Sequence, residues 1–230
     1  MPLLRHAQVL AADSLYGRRA GSRHEREAAD YIRQEFERYG LQPAVPDYFQ
    51  PFPFVASVGL GAGNALSWTR PDGDGGSLPV DDDFRPLGFS ASQAAAGSLV
   101  FAGYGISASD PDYDDYAGLE VTGKVVVLLR YSPDGTNPHG AFGTHIPLRK
   151  KVLAARERGA VGVLLVTGPA DDPEDTLMRL RYDRGGSAGL PVAILTRRAA
   201  DRLLASEHLA IAQLQHEINS TRQPLSHEVE

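Results

Sequence analysis

The sequence predicts an α+β protein, and three changes of pattern along the chain carry that prediction. The first 45 residues have helical periodicity. From Asp47 to Tyr104 the chain is cut by Pro and Gly into short apolar runs, and after Gly123 it alternates strand, helix and strand. Repeats and low-complexity tracts are absent.

In the first stretch Ser22 and Glu25 have capping-box spacing, in which the serine oxygen accepts from the amide three residues on and the glutamate reaches back. Ala28, Ala29, Ile32, Phe36 and Tyr39 then recur at helical spacing, with Arg26, Asp30, Arg33, Glu37 and Arg38 largely opposite. Gly40 ends this helix and Pro43 prevents its return. Such a stripe is ordinarily core packing, so it requires a partner surface.

In the second stretch Pro51, Pro53, Gly59, Gly61, Gly63, Gly73, Gly75 and Gly76 favour strands and turns. Strands are predicted at Phe49–Val58, Ala65–Thr69 and Ser98–Tyr104, with Arg70–Ser77 as a hairpin loop. In the third, Lys124–Leu129 reads as a buried strand, because Val125 to Leu129 is a continuous apolar run. Pro147–Arg158 reads as a helix that turns Leu148, Val152 and Ala155 inward and sets Arg149, Lys150, Lys151, Arg156 and Arg158 on solvent. Strands at Ala160–Thr167 and Pro191–Leu195 follow, then helices at Arg198–Ala205 and at about Leu209–Ile218.

With 230 residues, 42% of them apolar, the chain can fold as one sizeable domain or two small ones. Its 23 Lys and Arg against 29 Asp and Glu leave a formal charge of −6, with the signs interspersed and no basic block longer than three. That balance argues against a nucleic-acid or anionic-membrane partner. Cysteine is absent, which excludes disulfides, a thiolate nucleophile and zinc-thiolate ligation. No stretch approaches the ~20 apolar residues of a membrane span, and Met1 to His6 does not read as a signal peptide.

Candidate chemistry is sparse. Asp110, Asp112, Asp114 and Asp115 begin like a calcium loop, but an EF-hand needs Gly at its sixth place and Glu at its twelfth, and those places hold Asp115 and Val121. A turn with exposed acids is the reading that remains. His139 and His145 could begin a zinc site, yet a catalytic site needs a third protein ligand, and the nearest acid in sequence is Asp134. Gly88-Phe89-Ser90-Ala91-Ser92 lacks the final glycine of a nucleophile elbow. Gly59-Leu60-Gly61-Ala62-Gly63 is neither a dinucleotide fingerprint nor a phosphate loop. Arg18 and Arg19, beside a helix amino terminus, could hold an anion; the plainer reading is that the glycines around them shape a turn. No residue is assigned a catalytic, cofactor-binding or metal role.

Two groups of motifs resemble known families. Leu15-Tyr16-Gly17-Arg18-Arg19-Ala20-Gly21-Ser22, with Glu25 to Ile32 and Tyr39-Gly40-Leu41-Gln42-Pro43, resembles the amino-terminal segment of metallopeptidase family twenty-eight. Phe101-Ala102-Gly103-Tyr104-Gly105-Ile106, Asp112-Tyr113-Asp114-Asp115-Tyr116 and Gly123-Lys124-Val125-Val126-Val127 resemble the protease-associated (PA) domain that many of its members carry as an insertion. The stretches Lys151 to Val166 and Leu190 to Ile194 fit the same domain. The resemblance implies an open β-barrel or sandwich with flanking helices for the PA part. It divides the chain into a helical segment that belongs with a catalytic domain (1–45), the PA domain (46–208), and a carboxy-terminal helix and linker (209–230).

In that family a His-Asp pair, a Glu-Glu pair, a further Asp and a final His bind two zinc ions and supply the general base. All lie downstream of the inserted domain, and this sequence contains neither a His-Asp nor a Glu-Glu dipeptide. The chain is therefore expected to be the non-catalytic part of a zinc aminopeptidase, inactive alone and holding no cofactor itself. Its expected partner is the missing catalytic domain of the same polypeptide, with peptides or proteins as further partners. The family is usually exported, which favours an extracytoplasmic location. The alternative is a free-standing PA-type module that binds peptides or proteins. The two differ over Val9, Leu10, Ile32, Phe36 and Tyr39, which stay exposed in a fragment and are covered in a complete module. Pro224 to Val229 resembles the family's linker back to its catalytic strand, so a chain trimmed at that boundary is expected.

Overall fold

The computed structural model describes residues 2–205 and 208–229. The chain divides into two compact units, Met1–Ala56 and Ser57–Glu230.

The first unit is built on helices α1 (Pro2–Leu10) and α2 (Arg23–Arg38). At the start of α2 the Ser22 hydroxyl accepts from the Glu25 amide at 3.2 Å, the serine arm of the capping box. The reciprocal arm is missing because the Ser22 amide already donates to the Arg19 carbonyl at 3.0 Å. At the other end the Leu41 amide bonds the Phe36 carbonyl and the Gly40 amide that of Glu37, closing the helix as a glycine at that place predicts. Within this unit polar contacts join α1 to α2: His6 lies 2.7 Å from the Tyr31 hydroxyl and 3.1 Å from that of Tyr39, and Glu35 is held between Arg5 and Arg38.

Apolar packing is meagre here. Among the described residues of this unit Ala28 alone is a buried apolar residue. Ile32, Phe36 and Tyr39 are 39%, 41% and 52% exposed, and Leu41, Phe49, Phe52, Phe54 and Val55 are exposed with them. The stripe is real but only partly covered within this unit, by Tyr48 against Phe36 and His6 against Tyr39. The strand predicted at Phe49–Val58 does not form. Pro51 and Pro53 remove two of its backbone donors, so a ladder cannot run through the segment.

The second unit is centred on an open six-stranded sheet in the order β10-β4-β7-β8-β9-β3. Strands β4 (Leu99–Ala102), β7 (Val125–Leu129), β8 (Gly162–Val166) and β9 (Val192–Leu195) are parallel. The edges β3 (Phe84–Pro86) and β10 (Ser226–Val229) run antiparallel to their neighbours. Two hairpins stand apart from this sheet: β1 (Leu66–Thr69) with β2 (Gly75–Leu78), and β5 (Ser107–Ser109) with β6 (Asp112–Asp114). The mixed helix-and-strand class matches the α+β prediction.

Both faces of the sheet are covered, which is why β7 and β8 read as continuous apolar runs. Phe101, Val127, Leu129, Val166 and Leu195 pack against helices α4 (Arg197–Leu204) and α5 (Ile211–Thr221). The alternate residues Val100, Val126, Leu128, Leu165 and Ile194 pack against α3 (Leu148–Glu157). The segment read as helix and linker, 209–230, supplies Ile211, Leu214 and Ile218 to the first of these cores and then the edge strand β10. Both cores lie wholly within the second unit.

Candidate functional site

The most unusual chemistry in the molecule surrounds the turn that follows β4. Asp115, directly after β6, is 1% exposed and accepts from the Tyr104 and Ile106 amides at 3.0 and 2.9 Å and from the Tyr113 hydroxyl at 3.0 Å. Lys151 of α3 is equally buried, and its Nζ donates to the Tyr104 carbonyl. Gly103 has φ +44°, and a Cβ there would stand 2.2 Å from Asp115 Oδ1, so this turn requires glycine. The Tyr104 hydroxyl donates to Asn219 Oδ1 at 2.8 Å, while Gln215 Nε2 lies 3.3 Å from that hydroxyl and donates to Asp171 at 2.7 Å. One hydrogen-bonded chain therefore links α3, the turn and α5.

Burial governs the proton affinities in this chain. It pushes the Asp115 carboxyl up to about 7, against the lowering effect of its donors and of Lys151. It pulls the Lys151 ammonium down to about 7, with Asp115 opposing. The Tyr113 phenol is raised by burial first and by the neighbouring Asp115 charge second. With both charged tips closed to solvent, the network can fix backbone but cannot touch a substrate.

Two expectations are corrected here. Asp115 is not an exposed turn acid, because the β5–β6 hairpin leaves Asp110 and Asp112 outside and turns Asp115 inward onto amide donors. Lys151 is not on solvent, and the basic face of α3 is not a plain solvated one. Arg149 bonds Asp183 and the Gly186 carbonyl, and Arg156 bonds that of Ala188. Lys151 stands three residues after Leu148 and four before Ala155, so helical spacing alone places it within the inward stripe.

The remaining candidates are structural. His139 is exposed, and its neighbour in sequence Asp134 is engaged by Arg222. His145 ends a short 3₁₀ turn, where burial and then Lys150 and Lys151 lower its pKa. Among the described residues no three His, Cys, Asp or Glu side chains are grouped so as to hold a metal ion. The Ser90 hydroxyl accepts from the Val192 amide and donates to the Ala91 carbonyl, so it is tied to backbone on both sides. Arg19 bonds the Ala56 carbonyl at 3.3 Å, within the first unit. No described helix is long and apolar enough to cross a membrane.

Comparison with known proteins defines the class. The PA domain family model matches residues 94–203, and these residues are a PA domain, spanning β4 to most of α4. Among solved structures the chain is similar to an aminopeptidase from Aneurinibacillus sp. strain AM-1, with 21% identity over 87% of this chain and a TM-score of 0.45. The matched region is 42% of that aminopeptidase chain. No curated protein matches.

Proposed function

We propose that this chain is the non-catalytic part of a zinc aminopeptidase resembling metallopeptidase family twenty-eight: a PA domain joined to an amino-terminal helical segment. One observation carries the reading beyond the PA domain itself. The first unit exposes the apolar stripe of α2 and has a single buried apolar residue among those described, so its helices require a covering body. The resemblance of the motifs from Leu15 to Pro43 supports the peptidase domain of the same polypeptide as that body. In the intact enzyme the PA domain shapes substrate access or protein contacts at the active-site cleft, and the family's usual export makes the location extracytoplasmic.

Two zinc ions belong to the absent domain. The residues present do not fit them, since the described acids and histidines form no ligand set, and no step is assigned through zinc to this chain. A second reading, a free-standing module that binds peptides or proteins, draws on the completeness of the two cores within the second unit.

Activity separates the two. Native protein captured from source cells with an antibody against this chain is expected to release amino-terminal residues from peptides and to lose that activity with a chelator. The 230-residue chain alone is expected to release none. An inactive native protein would defeat the peptidase reading, and turnover by the isolated chain would defeat the assignment of chemistry to an absent domain.

A further inference from the structure

The net charge of −6 conceals a local excess of the opposite sign. Between β8 and β9 runs a long segment without regular structure, and over residues 179–184 it presents Arg179, Arg181, Tyr182 and Arg184, all exposed. None of these three guanidinium groups meets an acceptor among the described residues. Every other arginine of the second unit does, as the bonds of Arg70, Arg85, Arg130, Arg149, Arg156, Arg158, Arg197, Arg198, Arg202 and Arg222 show.

This segment is held in place from beneath. Arg85 bonds the Met178 carbonyl, Arg149 bonds Asp183 and the Gly186 carbonyl, and the Ala188 amide bonds the Phe89 carbonyl. The Arg181 carbonyl lies so close to Gly88 that a Cβ there would be 1.8 Å away. Ordering this backbone in advance lowers the entropy cost of binding on it. Beside it, Arg179 and Leu180 line a shallow groove of about 280 Å³ together with Val58, Gly59, Leu60 and the ion pair Asp81–Arg85, whose acid is thereby offset and leaves Arg179 as the free charge. That volume is below the roughly 300–1,000 Å³ of a small-molecule pocket and suits a protruding side chain.

We infer that residues 179–184 and the adjoining groove are a docking surface for an extended acidic polypeptide segment, with carboxylates on the unpaired arginines and an apolar side chain in the groove. Arginine suits this partner because its planar fork takes a carboxylate in two hydrogen bonds, as it does a phosphate, and the test below separates the two. Tyr182, 53% exposed, adds a rigid amphipathic contact. The surface lies wholly in the second unit, so this inference stands whether or not the chain belongs to a peptidase.

The test uses the whole chain and fluorescence anisotropy with a labelled peptide of alternating Glu and Leu. Binding is expected at low salt, weakening as salt rises, with a loss of about tenfold or more in the triple variant Arg179→Ser, Arg181→Ser, Arg184→Ser. The exposure of these side chains leaves the melting temperature of that variant unchanged. The reversed-charge variant Arg181→Glu, Arg184→Glu is expected to bind the Lys and Leu counterpart instead. Equal affinity of native and triple-variant protein for the acidic peptide would overturn the inference. So would an oligonucleotide that displaces the peptide, which would mark the surface as a phosphate-backbone site.

Discussion

Replacing Asp115 by alanine is expected to destabilise the second unit by several kcal/mol, on the order of 1–3 kcal/mol for each buried donor left without its acceptor. The change leaves the Tyr104 and Ile106 amides and the Tyr113 hydroxyl without their acceptor, and leaves Lys151 buried with no nearby counter-charge. Lys151→Met should cost less, because it removes a buried charge while keeping the length of the side chain. The double variant Asp115→Asn, Lys151→Met should recover much of the loss, since the two desolvation costs disappear together. Urea unfolding of native protein, of these variants and of the single Asp115→Asn variant, which closes the cycle with Lys151→Met, measures all of this. Strictly additive losses would show that the pair is not coupled.

The same pair makes a pH signature. The folded pKa of Asp115 is raised above its ordinary value, so its contribution to stability is complete at low pH and is lost as pH rises towards about 7. The folded pKa of Lys151 is depressed from 10.5, so its contribution is complete above that value and is lost as pH falls towards about 7. Together they make the pair least favourable near neutrality. The stability of native protein relative to the double variant should pass through a minimum there, and a flat difference from pH 5 to 9 would contradict the assignment.

The second large effect concerns the division of the chain. Residues 57–230 contain both cores and all ten strands, and are expected to unfold cooperatively within about 2 °C of the full chain, corresponding to less than about 1 kcal/mol for a unit of this size. Residues 1–56 alone should show little fixed structure. Helices of 9 and 16 residues are marginal in water without tertiary packing, and this unit buries almost none of its apolar stripe. Calorimetry of the long fragment and circular dichroism of the short one decide it. A fall of about 10 °C on removing residues 1–56 would show that they complete the second unit's core.

Much of the fold was legible because its signals are local. The Val125 to Leu129 run, the Ser22 cap and the Gly40 stop each predict an element from a few neighbouring residues, and each element forms. The edge strands β3 and β10 escaped notice because their existence depends on a partner distant in sequence, and the hairpin strands β2, β5 and β6 because three or four residues are too few to show a period. Ser226 to Val229, for instance, is a strand only because β4 offers an open edge. The buried Asp115 and Lys151 were hidden by their neighbours, an acid among acids and a cation among cations. Nothing in composition distinguishes the inward member of either run; for Lys151 helical spacing does. The arginines at 179–184 were invisible for another reason, since only the structure shows which arginines lack an acceptor.

The most direct test of the central claim is the intact mass of the native protein in its source cells, detected with an antibody against this chain and compared with 24.7 kDa. A species heavier by a further domain of about 100–200 residues is the predicted result, and supplies the body that covers α2. A native mass of 24.7 kDa would contradict the account and leave a free-standing PA module.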